Sequence, residues 1–205
     1  MNKRTIIEQT SRAFEFIQKL YFEVSYLVKE VEGLLAEEKE NFIIGRPRGY
    51  QITWRSSSGL EPVNVRLWLM RKFSVFFVPE EKTKSRSGMT ITRFSGNLQV
   101  IYLRFILDDN DLAQPIIMAG VLQNFELKDD WGNKFEKVMT HLEYRENQMV
   151  INNNRLSYED SHLSFEGEVF QVNLYDINSG EDIEGKVIRP VLNLFRGKNS
   201  TELES

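Results

Sequence analysis

Ile6, Thr10, Ala13, Ile17, Leu20, Val24, Leu27, Val31 and Leu34 recur at alternating spacings of four and three residues. Ile7, Phe14, Tyr21, Val28 and Leu35 run beside them at every seventh position. A stripe that returns every 3.5 residues lies on one side of a helix, and here it holds for about four heptads. No Pro or Gly interrupts it before Gly33. The pattern predicts a helix from near Lys3 to near Glu38, roughly 50 Å long at 1.5 Å per residue. Three positions wide, the stripe is broader than a strict coiled-coil seam and suits a flat apolar surface. Strands reach only ~17–20 Å, so a single sheet covers part of such a helix and leaves the rest to something else. The expectation is assembly through this helix, as a homo-oligomer or with another protein, with Ile17, Leu20, Val24, Leu27, Val31 and Leu34 at the interface.

Gly45-Arg46-Pro47-Arg48-Gly49 ends the helical pattern, and the period then becomes two. Ile52 and Trp54 alternate with polar neighbours, as do Val63, Val65, Leu67 and Leu69. Lys72–Val78 is apolar on both faces until Pro79 stops it, which suits a central strand. Leu98–Leu107 and Pro115–Leu127 read as two more strands. The loop Asp108–Gln114 between them is too short for a helical crossover, so they pair antiparallel. A short helix is predicted over Asn133–Leu142, then strands near Met149 and over Leu163–Leu174, with a bulge at Gly167. Ser179 and Asp182 suggest a capping box for a last helix, kinked at Pro190 and ended by Gly197. Runs of strands without β-α alternation indicate an α+β fold. In it, a long N-terminal helix packs on a largely antiparallel β-sheet of about six or seven strands, with a short helix and a C-terminal helix. One domain over 1–197 is expected (long helix 1–40, sheet-rich core 50–175, C-terminal helix 180–196), with a mobile tail at 198–205.

The chain of 205 residues has no cysteine. That excludes disulfides, thiolate nucleophiles and Cys-ligated metals. The N-terminus lacks an apolar signal region, and no apolar run approaches ~18 residues, so the expectation is a cytoplasmic protein with no membrane partner. Charge is segregated along the chain. Residues 45–104 carry 11 basic and 3 acidic side chains, a net of +8, inside a chain whose net is −4. Residues 105–205 carry 9 basic and 19 acidic, a net of −10. Either the two parts neutralise each other or the basic part meets a polyanion.

Glycine-loop, G-x-S-x-G and H-E-x-x-H signatures are missing, and His141 and His162 have no partner at metal-ligand spacing. The sequence therefore assigns no catalytic residue, cofactor or metal. Carboxylates at Asp108, Asp109 and Asp111, at Asp129 and Asp130, and at Glu159 and Asp160 fall in predicted loops, where acids form turns. A metal-dependent nuclease is the enzymatic alternative. The order of helix and strands resembles the restriction-endonuclease-like core in topology only, and Glu80-Glu81-Lys82 supplies an E-x-K. The strand before it has no acid, and the tripeptide lies beyond Pro79, off the rigid strand.

From Arg46 to Arg93 basic and aromatic residues interleave. Arg46, Arg48, Tyr50, Trp54, Arg55, Arg66, Arg71, Lys82, Lys84 and Arg86 are the candidate nucleic-acid contacts, because guanidinium groups neutralise phosphates and flat rings stack on unpaired bases. The chain thus reads as a non-enzymatic binding or regulatory module, assembling through its long helix and touching nucleic acid through its basic segment. A structural subunit of a larger complex is the other alternative.

Overall fold

The computed structural model describes residues 3–44, 71–86, 89–92, 98–109, 112–128 and 149–197. The strands expected at Ile52–Trp54 and Val63–Met70, the short helix at Asn133–Leu142 and the tail lie outside these residues. The long helix, α1, spans Lys3–Ala36. Among the described residues nine strands follow: β1 (Phe42–Ile44), β2 (Lys72–Pro79), β3 (Thr83–Arg86), β4 (Met89–Thr92), β5 (Val100–Ile106), β6 (Ile116–Leu127), β7 (Met149–Asn152), β8 (Arg155–Glu159) and β9 (Leu163–Asn173). The C-terminal helical stretch comprises α2 (Gly180–Ile183), a wider π turn (Glu184–Ile188) and α3 (Arg189–Phe195). Among the described residues seven strands form one sheet in the order β1-β2-β5-β6-β9-β8-β7, and β3 and β4 pair with each other. Every pairing in the seven-stranded sheet is antiparallel. The fold is α+β, as the absence of strict β-α alternation implied.

Alternation within the strands sorts side chains onto two buried faces. Phe73, Val75 and Phe77 of β2, Ile101, Leu103 and Phe105 of β5, and Ile117 and Ala119 of β6 share one face. The helices cover it with Val24, Leu27, Val28, Val31 and Leu35 of α1 and with Ile183, Val187, Ile188, Val191 and Leu192 of the C-terminal stretch. Phe76, Val78, Val100, Tyr102, Met118, Leu122, Leu156, Tyr158, Phe165 and Val169 bury the other face. Two glycines let large and small residues interdigitate there. A Cβ on Gly120 would sit 2.0 Å from the Glu168 carbonyl oxygen, and one on Gly167 would sit 2.8 Å from the Leu122 side chain.

Gly167 does not carry the bulge expected of it. Burial alternates unbroken through Phe165, Glu166, Gly167, Glu168 and Val169. The register instead shifts between Gln123 and Glu126 on the neighbouring β6, where Asn124 takes a positive φ of 56°. One extra residue in β6 is accommodated by an Asn, which tolerates the left-handed region. The C-terminal helix meets Pro190 with a change of pitch. Pro lacks an N–H, and its ring crowds the carbonyl four residues back. The five-residue π turn immediately before it loosens the spiral at that point, with the Arg189 N–H donating to the Glu184 carbonyl. Ser179 accepts from the Asp182 N–H at 3.2 Å and Asp182 accepts from the Asn178 N–H at 2.9 Å, a capping-box variant whose second bond returns to the residue before the cap. Gly197, at φ 66°, follows the helix end.

Candidate functional site

The two halves of α1 have different surroundings. Val24, Leu27, Val28, Val31 and Leu35 are buried, with Leu20, Tyr21 and Leu34 packed partly against them. From Lys3 to Phe16 every residue is exposed, and Ile17 is half-buried. The same stripe therefore runs from a filled core onto open surface. Ile6 is 45% exposed, Ile7 56%, Phe14 60% and Phe16 62%. Phe22 and Tyr26, one turn apart on another side of the helix, are exposed at 62% and 69%. Of the six interface candidates, Val24, Leu27 and Val31 fill this chain's own core, while Ile17, Leu20 and Leu34 are half-buried. The unfilled apolar surface lies further toward the N-terminus, at Ile6, Ile7, Phe14 and Phe16.

The overhang has little to hold it as a lone helix. Lys3 and Arg4 occupy its first turn, where the helix dipole favours acids. Thr10 Oγ1 donates back to the Ile6 carbonyl at 2.8 Å, an internal bond that bends helices slightly. The Arg4–Glu8 ion pair at 3.1 Å is exposed and contributes little. Ile6, Ile7, Thr10, Phe14 and Phe16 rank below Ala and Leu as helix formers. Burial of the apolar stripe is the term that would fix this stretch, since tertiary packing supplies most helical stability.

The basic segment is only partly visible. Arg46, Arg48, Tyr50, Trp54, Arg55 and Arg66 lie outside the described residues. Arg71 Nε sits 2.5 Å from Asp108 Oδ2, and Lys72 pairs with Asp109. These two cations at the start of β2 are thus matched by the first acids after β5, so part of the charge segregation is neutralised within the sheet. Lys82 lies 3.2 Å from Glu81 in a 3₁₀ turn after Pro79. Lys84 and Arg86 belong to β3, in the separate β3–β4 hairpin.

Glu80 of the nuclease alternative, and the loop carboxylates Glu159 and Asp160, are engaged in local bonds. Glu80 is exposed in that turn and accepts from Asn41 Nδ2. Asp160 closes the β8–β9 turn, accepting from the His162 and Leu163 amides at 2.7 and 2.8 Å and from the Tyr158 hydroxyl at 2.6 Å. Lys128 donates to Glu159 at 2.6 Å and holds that carboxyl below its ordinary value. Among the described residues, no group of three or more His, Cys, Asp or Glu side chains is placed to hold a metal ion. Arg104 was not singled out in the sequence. It is 4% exposed on the second face of the sheet, level with Ser74 and Met118 on the adjoining strands, and is the one buried charged side chain among the described residues. Its only sequence signal is a cation inside the apolar run Leu98–Leu107.

No helix among the described residues is long and apolar enough to cross a membrane. No family model, curated protein or solved structure matches the chain.

Proposed function

We propose that the protein is a binding module whose docking surface is the uncovered N-terminal half of α1. The carrying observation is the continuity of one apolar stripe from the core at Val24–Leu35 to open surface at Ile6–Phe16. Contiguous apolar surface on a folded protein marks an interaction site, whereas scattered single residues do not. Photo-cross-linking in cells tests it, with a benzophenone amino acid at position 14 on the stripe or at position 15 on the polar side. Discrete adducts from position 14 and none from position 15 are expected. Equal or absent adducts at both positions would refute a docking surface here.

A second reading concerns nucleic acid. It is supported by Lys82, Lys84 and Arg86 lying in sequence along one turn and a hairpin that, among the described residues, forms a two-stranded sheet of its own. Replacing the three together with Ala lowers affinity for a single-stranded oligonucleotide, read by fluorescence anisotropy at low salt. Unchanged binding removes the hairpin from consideration.

A further inference from the structure

We infer that the occupant of the α1 overhang is the overhang of a second copy of this chain, running antiparallel about a two-fold axis between Ala13 and Phe14. This rests on the reading of the overhang as a docking surface. A two-fold interface requires that wherever residue i meets j, residue j also meets i. The stripe satisfies that requirement when its order is reversed about the Ala13–Phe14 midpoint. Ile6 then faces Tyr21, Ile7 faces Leu20, Thr10 faces Ile17 and Ala13 faces Phe14. At the centre a small side chain meets a large one, Ala13 against Phe14 and Thr10 against Ile17, so the helices approach without two rings colliding. A parallel pair in register would set Phe14 against Phe14.

Charge and bulk favour the same arrangement. At about 100° per residue, Arg4, Glu8, Arg12, Glu15 and Lys19 cluster on the side of α1 opposite the stripe, and all are exposed. The stripe's flanks hold Gln9, Ser11, Phe16 and Gln18. Between residues 4 and 23 no charged side chain therefore lies on the stripe, and Lys3, which does, sits at the edge of the pairing. The folded bodies also stay apart. Val24 is the first α1 residue buried by its own core, and in the antiparallel register the partner's Val24 lies opposite Lys3. Residues 4–23 of each copy, roughly 30 Å of helix, thus lie along the pairing, with Leu20 and Tyr21 at its edges also packed partly on their own core. A parallel partner would bring its own body to the place where this chain's sheet already covers the stripe.

The absence of cysteine makes the register directly measurable. Thr10→Cys and Ile17→Cys are made singly in the full chain and oxidised, alone and mixed. In the antiparallel pair the two copies of position 10 are at least ~10 Å apart along the axis, beyond the ~7 Å that a disulfide spans. Positions 10 and 17 of opposite copies are neighbours. The mixture is expected to give covalent dimer and each variant alone none. Wild-type protein is expected to sediment as a dimer at micromolar concentration, and Phe14→Glu as a monomer with unchanged near-ultraviolet circular dichroism. Dimer formed by either variant alone as readily as by the mixture overturns the antiparallel register. Wild-type protein that stays monomeric overturns self-pairing, and a discrete adduct from position 14 to a different protein would then still support the docking surface.

Discussion

Arg196, just after the C-terminal helix, ties that helix to the turn after α1. It donates to Glu38 at 2.6 Å and to Glu40 at 2.7 and 3.1 Å, and all three side chains are less than one third exposed. Its hydrogen bonds hold the Glu40 carboxyl below the ordinary 4.5. A carboxylate with a lowered folded-state value adds stability above 4.5 and loses it as pH falls through that lower value. Arg196→Met, which keeps much of the apolar stem, is expected to cost about 1–2 kcal/mol at pH 7. That lies between an exposed pair at ~0–1 and a buried charged hydrogen bond at ~1.5–3. Urea midpoints compared at pH 7 and at acid pH should converge at the lower pH, as Glu40 takes up its proton. A gap of the same size at both pH values would assign the cost to stem packing instead.

At the scale of elements, the two halves of α1 make opposite predictions. Leu35 is fully buried, and Leu35→Ala is expected to destabilise the monomer by about 2–5 kcal/mol. Ile7→Ala, on open surface, should stay within about 0.5 kcal/mol when measured by denaturation of the Phe14→Glu background. A comparable loss at both sites would mean that the overhang folds against its own chain. The helix and the central strands were legible in the sequence because each repeats one period over many residues. β2, β5, β6 and β9 fall where apolar runs and alternation placed them. β1 escaped because three residues carry no period. β7 falls near Met149 as expected, but β8 and the turn between them escaped although their signal was present: Asn153 and Asn154 both take positive φ, as a two-residue hairpin loop requires. The bulge was placed on the wrong strand because glycine was read as a break in alternation. Gly167 is there to make room for Leu122 across the pair. Which part of the stripe is uncovered was not legible, since Ile6–Ile17 and Val24–Leu35 have the same spacing and only the sheet's position separates them.

At the scale of the whole molecule, the charge segregation is partly resolved. Arg71 and Lys72 face Asp108 and Asp109, so they are not available to phosphates in this arrangement. A nucleic-acid contact through Lys82, Lys84 and Arg86 alone would give a logarithmic salt slope near −2, from ~0.7 counterions released per contact on a single strand. A slope near −5 would bring in the cations between Arg46 and Arg66. Affinity that does not change with salt would exclude phosphate contact by either group.

The closure between Phe42 and Phe195, edge to face at 4.9 Å, has a consequence for synthesis. The core half of α1 emerges from the ribosome before the strands and helices that bury it. The C-terminal residues that share its core, Ile183 to Leu192, are among the last described. At ~5–20 residues per second, roughly 10–30 s separate the two. Through that interval the core half of α1 lacks the cover that Ile183–Leu192 give it, so more of the stripe than its overhang is open to other chains. Neighbouring nascent copies on one messenger would meet through these helices before either sheet is complete.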